Sequence, residues 1–365
     1  VEGRIGIRHG FPQRELELKT ARAGAMEDHM PLVDIRDLKV AFDGVQVLHG
    51  IDLTIEKGEA VGLVGESGCG KSVTWLAALG LLPKKAAISG HVMLGKDDLV
   101  IASQRHLESI RGRRIAMIFQ DPSSSLNPVI RVGRQIEEAV RLHRGLTGQA
   151  ARAEARRLLE LVEMPDAGRR LDNYPHEFSG GQNQRAMIAM ALAGNPDLLI
   201  ADEPTTALDA TIQAQILDLL ARLRAETGMA VVFISHDLGA VSEICERVCV
   251  MYAGRIVEQC PTAALFRSPR HPYTRGLFGA IPRLDGGRER LTPVEGTVPQ
   301  PGMLPKGCAF SPRCGHITDE CLTSPPVLSK LEGHRAVACF HPVSDEASAH
   351  SSKKSAKVRS ELELI

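Results

Sequence analysis

Gly65-Glu-Ser-Gly-Cys-Gly-Lys71-Ser72 is the stretch whose reading decides the fold. It fits the pattern G-x-x-x-x-G-K-[ST]. The apolar run Glu59-Ala-Val-Gly-Leu-Val64 leads into it, and the helix-forming segment Val73-Thr-Trp-Leu-Ala-Ala-Leu79 follows. Strand, glycine-rich loop, helix is the context that makes this pattern a phosphate site. Gly65, Ser67, Gly68, Cys69, Gly70 and Val73 present backbone N–H groups to phosphate oxygens, and the helix N-terminus adds the positive end of its dipole. Lys71 is expected to reach the β- and γ-phosphates of a nucleotide, and Ser72 to offer its hydroxyl to Mg²⁺.

Leu198-Leu-Ile-Ala-Asp202-Glu203, far along the chain, is an apolar strand that ends in two carboxylates. A buried strand ending at a phosphate site places Asp202 near Mg²⁺, and Glu203 next to the attacking water. Upstream of it, Ser179-Gly180-Gly181-Gln182 opens the helical run Ala186–Leu192. Ser179 is a natural cap, and the two glycines leave N–H groups open, which makes a second anion site.

Composition excludes other classes. Lys plus Arg and Asp plus Glu are both 44, so the formal net charge is zero, which argues against broad nucleic-acid binding. Aromatics make up only 4%, too few for single-strand stacking platforms. No apolar run reaches the length of a membrane-spanning helix, and no signal peptide is visible. The chain is expected to be soluble and cytoplasmic, with any membrane role coming through a partner.

Residues 1–30 read as a disordered leader and 346–365 as a disordered tail. Leu32–Val40 and Val45–Ile55 read as antiparallel strands around the turn Asp43-Gly44. Arg114–Phe119 reads as a further strand, and Val132–Glu163 as helices. Strands at Leu198–Ala201, Ala230–Ile234 and Arg247–Met251 then alternate with helices at Thr211–Arg224 and Leu238–Ile244, the pattern of a largely parallel sheet covered on both faces. From Arg267, proline and glycine rise. Four of the eight cysteines cluster there, Cys308-x5-Cys314-x6-Cys321-x17-Cys339, whereas Cys69, Cys245, Cys249 and Cys260 read as fillers of the preceding fold. A thiol cluster in a loop-rich segment suggests metal rather than disulfides. Its spacings match neither common zinc pairs nor ferredoxin runs, so zinc and iron–sulfur remain open.

Taken together, Lys71-Ser72, Ser179–Gln182 and Asp202-Glu203 resemble the ATP-binding cassette (ABC) ATPases over about residues 32–260. The resemblance implies an α/β P-loop NTPase with a RecA-like parallel sheet core, an antiparallel β subdomain and a helical subdomain. It also implies roles. Gln120 matches the Q-loop glutamine, and His236 the switch histidine at the γ-phosphate. Ala207-Leu208-Asp209 matches the D-loop. Phe42 falls where an aromatic stacks on adenine. Ser179–Gln182 matches the signature, with Phe178 where leucine is common. In that family the signature of one cassette closes over the ATP of another, so two ATP molecules are sandwiched in a dimer.

His271-Pro-Tyr-Thr-Arg-Gly-Leu277, Gly307-Cys-Ala-Phe-Ser-Pro-Arg-Cys314 and Val337-Ala-Cys-Phe-His341 are similar to the C-terminal extension of ATPase subunits of oligopeptide/dipeptide and nickel ABC importers. The style is that of the first, "D"-type subunit, and the similarity extends to about residue 341. The implied domains are an ABC ATPase at 31–267 and a small cysteine-rich module at 268–345. The implied cofactor at Cys308, Cys314, Cys321 and Cys339 is a [4Fe–4S] cluster, with zinc as the alternative. The implied partners are a second ATPase subunit, two transmembrane permeases and an extracytoplasmic solute-binding protein, with this chain at the cytoplasmic face of the inner membrane. The rival classes are soluble ABC ATPases of translation or DNA repair, which carry tandem cassettes or long coiled coils not evident here, and exporter ATPases.

Overall fold

The structure is a computed structural model that describes residues 30–120, 125–206, 208–279 and 294–344. The expected leader up to residue 29, the tail from 346 and Ala207 of the D-loop lie outside the described residues.

Two sheets organise the chain. The smaller has the order β2–β1–β4–β5, formed by Val33–Phe42 (β1), Val45–Ile55 (β2), Ala86–Leu94 (β4) and Asp97–Asp98 (β5). Strands β1 and β2 meet at Asp43 and Gly44, both at positive φ (50° and 83°), the backbone that a tight two-residue hairpin requires. The larger sheet has eight described strands, in the order Ser329–Leu331 (β11), Arg335–Val337 (β12), Arg255–Pro261 (β10), Arg247–Tyr252 (β9), Ala60–Val64 (β3), Ala230–Ser235 (β8), Leu198–Asp202 (β7) and Ile115–Ile118 (β6). Its parallel half consists of Ile115–Ile118 (β6), Leu198–Asp202 (β7), Ala230–Ser235 (β8), Ala60–Val64 (β3) and Arg247–Tyr252 (β9). Strands β3, β7 and β8 are buried along their whole length, which is why they read as unbroken apolar runs.

The two-residue period of these strands divides the core. Leu63, Leu198, Ile200, Val232 and Ile234 face a cluster shared with the smaller sheet and with Trp75. Trp75 lies on the helix Lys71–Ala78 (α1), which is followed in sequence by Gln104–Ile110 (α2). Val64, Leu199, Ala201, Val231 and Phe233 face the opposite cluster, covered by helices. Those helices are Val132–Arg144 (α3), Gly148–Leu161 (α4), Ala167–Arg170 (α5), Gly180–Ala191 (α6), Ala210–Thr227 (α7) and Leu238–Ile244 (α8). Burial of apolar side chains on both faces, at about 25 cal/mol per Å², drives this layering.

The C-terminal region packs onto the preceding fold. After Arg255–Pro261 (β10) come Thr262–Arg267 (α9), Pro272–Gly279 (α10) and Glu320–Thr323 (α11). The chain then returns through Ser329–Leu331 (β11) and Arg335–Val337 (β12). Strand β12 pairs antiparallel with β10, Glu258 opposite Val337, so the region extends the larger sheet itself. Tyr273 and Phe310 join the same buried cluster as Phe233. The change of composition at Arg267 marks a change of local structure, because loops can complete a core that helices and strands began.

Candidate nucleotide site

Helix α1 starts at Lys71, directly after Gly70, whose φ of +103° closes the loop. A side chain at Gly65 (φ +151°) would meet the Met251 carbonyl at 2.3 Å, so only glycine lets β3 turn out of the sheet there. Cys69 is buried beneath the loop, and burial raises its thiol pKa, as expected of a filler. Ser67 and Gly68 stand exposed at the tip. Lys71 is buried, and its Nζ donates to the carbonyls of Gly65 (2.8 Å) and Glu66 (3.0 Å) across the loop.

Strand β7 delivers Asp202 next to that loop. The Ser72 side chain hydrogen-bonds the Asp202 carboxylate. Burial pushes the Asp202 pKa up and the Glu203 charge adds to this, while Ser72 and Lys71 oppose it. A buried carboxylate beside a hydroxyl and an ammonium is a donor set that suits Mg²⁺ with phosphates.

Glu203 gathers the remaining groups. Gln120 Nε2 donates to its Oε2 at 3.0 Å, Thr206 Oγ1 donates to the same oxygen at 3.0 Å, and His236 Nδ1 lies 3.3 Å from Oε1. Residues from three parallel strand ends thus converge on one carboxylate. Gln120 follows β6, Glu203 follows β7, and His236 follows β8. Thr206 was not singled out from sequence, because a threonine in an acidic turn carries no signal of its own. Asp237, one residue past His236, caps α8 and accepts from Gln213 Nε2 at 2.9 Å. It thereby ties that loop to α7, the helix that Asp209 caps.

The signature lies elsewhere on the surface. Ser179 and Gln182 form a reciprocal capping box at the start of α6. Gly181 abuts Ile212 of α7, where an added Cβ would approach to 2.6 Å. Ser179, Gly181 and Gln182 line a cavity with Glu163, Arg185 and Gln215, and no residue of the Gly65–Ser72 loop borders it. Phe178 is buried, with the Arg170 guanidinium over its ring. Phe42 ends β1, partly buried and opposite Val45 and Ala86.

The four cluster cysteines line one pocket together with His271, His316 and His341. Backbone N–H groups of Phe310 and Ser311 point to Cys308, that of His316 to Cys314, and that of His341 to Cys339. Burial raises the pKa of Cys308 and Cys314 and lifts Cys339 to about 11. Nevertheless, among the described residues no group of three or more His, Cys, Asp or Glu side chains is placed to hold a metal ion. The expected zinc or iron–sulfur centre therefore has no preformed ion site here. Cys245, Cys249 and Cys260 are buried, with thiol pKa values raised to about 12, 11 and 12, and take no part.

Comparison with known proteins agrees with this geometry. Residues 48–206 match the ABC transporter family, and residues 257–321 match the oligopeptide/dipeptide transporter C-terminal region. The chain is 50% identical to a peptide import ATP-binding protein of Brucella abortus over 314 residues, 85% of this chain and 94% of that protein. It is 51% identical to a peptide ABC transporter ATP-binding protein of Sinorhizobium fredii, over 85% of this chain and 94% of that protein. Among solved structures it resembles the dimeric ATP-binding cassette MJ0796 bound to ADP and Pi, with a TM-score of 0.56 and 29% identity, covering 63% of this chain and 98% of that one. It also resembles cbiO1 from Clostridium perfringens, part of an ABC transporter complex, with a TM-score of 0.58 and 27% identity, covering 65% and 91%. With this fold, these motifs and relatives at half identity over most of its length, the chain belongs to the ATP-hydrolysing ABC transporter family, in its oligopeptide/dipeptide branch.

Proposed function

We propose that this chain is the ATPase subunit that powers import of peptides, or of a related small solute, through an ABC transporter. The observation that carries the reading is the convergence of Gln120, Thr206 and His236 on Glu203, beside Ser72 and Asp202, in a chain that also matches the transporter C-terminal region. That C-terminal match weighs against soluble ABC ATPases of translation or repair.

ATP is the substrate. Lys71 and the loop amides bind its phosphates, and Phe42 supplies a face for the adenine. Ser72, Asp202 and Gln120 would hold Mg²⁺, which supplies charge neutralisation of the phosphates when bound. Glu203 orients or deprotonates the water, and His236 contacts the γ-phosphate. Ser179–Gln182 completes the site of a partner ATPase across a closed dimer, because that surface lies apart from the loop in its own chain. Closure on ATP and reopening after hydrolysis drive the cycle.

The partner is a related second ATPase. Phe119, Val129 and Ile130 expose apolar side chains around Gln120 and the start of α3, and offer a seat for a helix of a transmembrane permease. No helix among the described residues is long and apolar enough to cross a membrane. We place the chain peripherally at the cytoplasmic face, under two permeases fed by an extracytoplasmic solute-binding protein. Cys308, Cys314, Cys321 and Cys339 would hold a [4Fe–4S] cluster. The support is the shared pocket and the backbone N–H groups aimed at three of the sulfurs, which offset part of the cost that burial places on their thiolates. When bound, the group cross-links a loop-rich segment.

Reconstitution into vesicles with the permeases and the binding protein tests the transport reading. ATP-dependent peptide uptake supports it, and a chain that instead co-purifies with ribosomes or DNA and not with permeases overturns it. Metal analysis of anaerobically purified protein tests the cluster. Iron with equal acid-labile sulfide supports it, and one zinc per chain without sulfide overturns it.

A further inference from the structure

The phosphate loop is held by the C-terminal region as well as by its own glycines. Glu66, the second residue of the loop, is the point of attachment. Its N–H donates to Tyr273 Oη at 2.9 Å. Both of its carboxylate oxygens accept from Arg313 Nη1, at 3.1 and 3.2 Å. The same guanidinium donates to Tyr252 Oη at 3.3 Å, to the Glu295 carbonyl at 2.8 Å and to the Val294 carbonyl at 3.2 Å. The Arg313 side chain is only 5% exposed, and Tyr252 and Phe310 lie against it. On its other side Glu66 receives the Lys71 ammonium through its carbonyl. A continuous polar path thus runs Arg313–Glu66–Lys71. Arg313 immediately precedes Cys314 of the thiol pocket, and Tyr273 belongs to the His-Pro-Tyr-Thr segment.

We infer that Arg313 and Tyr273 are positioning residues for the phosphate loop, so that a seated C-terminal region sets the affinity for Mg-ATP. The inference rests on the reading of Gly65–Ser72 as the nucleotide loop. The physical reason is preorganisation. A loop with three glycines at positive φ is costly to order, and every part of that cost met by fixed contacts is not met by the ligand. Arg suits the task because its planar fork serves carboxylate, phenol and carbonyls at once, which a lysine cannot do. The partly buried Glu66 carboxylate, left without that partner, would draw the loop toward solvent and away from its place.

The test is equilibrium titration of the full chain with a fluorescent ATP analogue and Mg²⁺, together with steady-state ATPase kinetics in the assembled transporter. Arg313→Gln is expected to weaken nucleotide binding about tenfold and raise KM while kcat at saturation is kept, since Glu203 and its neighbours are untouched. Arg313→Lys should recover only part of the loss. Glu66→Gln combined with Arg313→Gln should bind no more weakly than Arg313→Gln alone, because the two act as a pair. Tyr273→Phe keeps the buried ring and removes only the acceptor oxygen, so it decides the question if Arg313→Gln does not fold. Unchanged affinity in Arg313→Gln and Tyr273→Phe, while Lys71→Ala abolishes binding, overturns the inference. Retained affinity in Lys71→Ala instead overturns the underlying reading of the loop.

Discussion

Glu203 occupies the left-handed region at φ +49°, where a glutamate is strained by about 1–3 kcal/mol. The strain is sustained because the Glu203 N–H donates to the Ile234 carbonyl at 2.9 Å and its carboxylate is engaged by Gln120, Thr206 and His236. The backbone turns sharply off β7 so that the carboxylate leaves the sheet and faces the strand-end loops. Glu203→Gln keeps that shape and removes the base. We expect steady-state hydrolysis to fall by about 10²–10⁴-fold with Mg-ATP binding retained, as read by phosphate release and by nucleotide titration. Near-normal turnover would remove Glu203 from the role of base.

At the scale of elements, the signature helix is a capped helix packed tightly on its neighbour. Gly181 lets α6 approach Ile212 of α7, and the capping box leaves Ser179 and Gly180 exposed. On the proposed reading this end meets a partner cassette, since no residue of its own phosphate loop borders the same cavity. Ser179→Arg places bulk and positive charge at that surface without touching Lys71. Nucleotide binding by the isolated chain should persist, while ATP-driven association, followed by sedimentation in a Glu203→Gln background, should be lost. Association at wild-type strength in that variant would count against a shared site.

Across the whole molecule, the C-terminal region is anchored by one buried histidine. His271 is 2% exposed, and its Nδ1 accepts from the Tyr273 N–H at 3.1 Å. The main-chain N–H groups of Arg270 and His271 donate to the buried carboxylate of Glu258. Burial lowers the His271 pKa to about 4, from an ordinary value of 6.5. The unfolded chain therefore binds the proton first, so stability is full above about pH 6.5 and is lost as pH falls toward 4. Thermal unfolding should show a loss of about 2 kcal/mol between pH 7 and pH 5 from this residue. His271→Gln should flatten that slope. A slope unchanged by the substitution would place the titrating group elsewhere. Because Tyr273 sits two residues away, the same protonation is expected to loosen the contact with Glu66.

Local sequence was enough for the phosphate loop, the β1–β2 turn, the buried parallel strands and the Ser179 helix cap. Each follows from short-range chemistry: glycines that permit positive φ, unbroken apolar runs, and a serine placed before a helical run. Glu203 was legible from its strand, whereas Gln120 and His236 were legible only through resemblance, since they lie far from it in sequence and meet it because parallel strands end on one side of the sheet. Thr206 carried no local signal, and neither did Arg313 as a partner of Glu66, 247 positions away. The cysteine spacing identified a cluster, but the arrangement of its thiols is set by how the loops fold over β10. The change of composition at Arg267 carried no information on packing across it, because composition reports local periodicity, and a sheet edge can be completed by three residues arriving from far along the chain, as β12 is. Residue types and spacings thus determined the nucleotide loop and the class of fold. Only the tertiary structure decided that the C-terminal region joins that loop, because hydrogen bonds and burial across such separations leave no periodic trace in sequence.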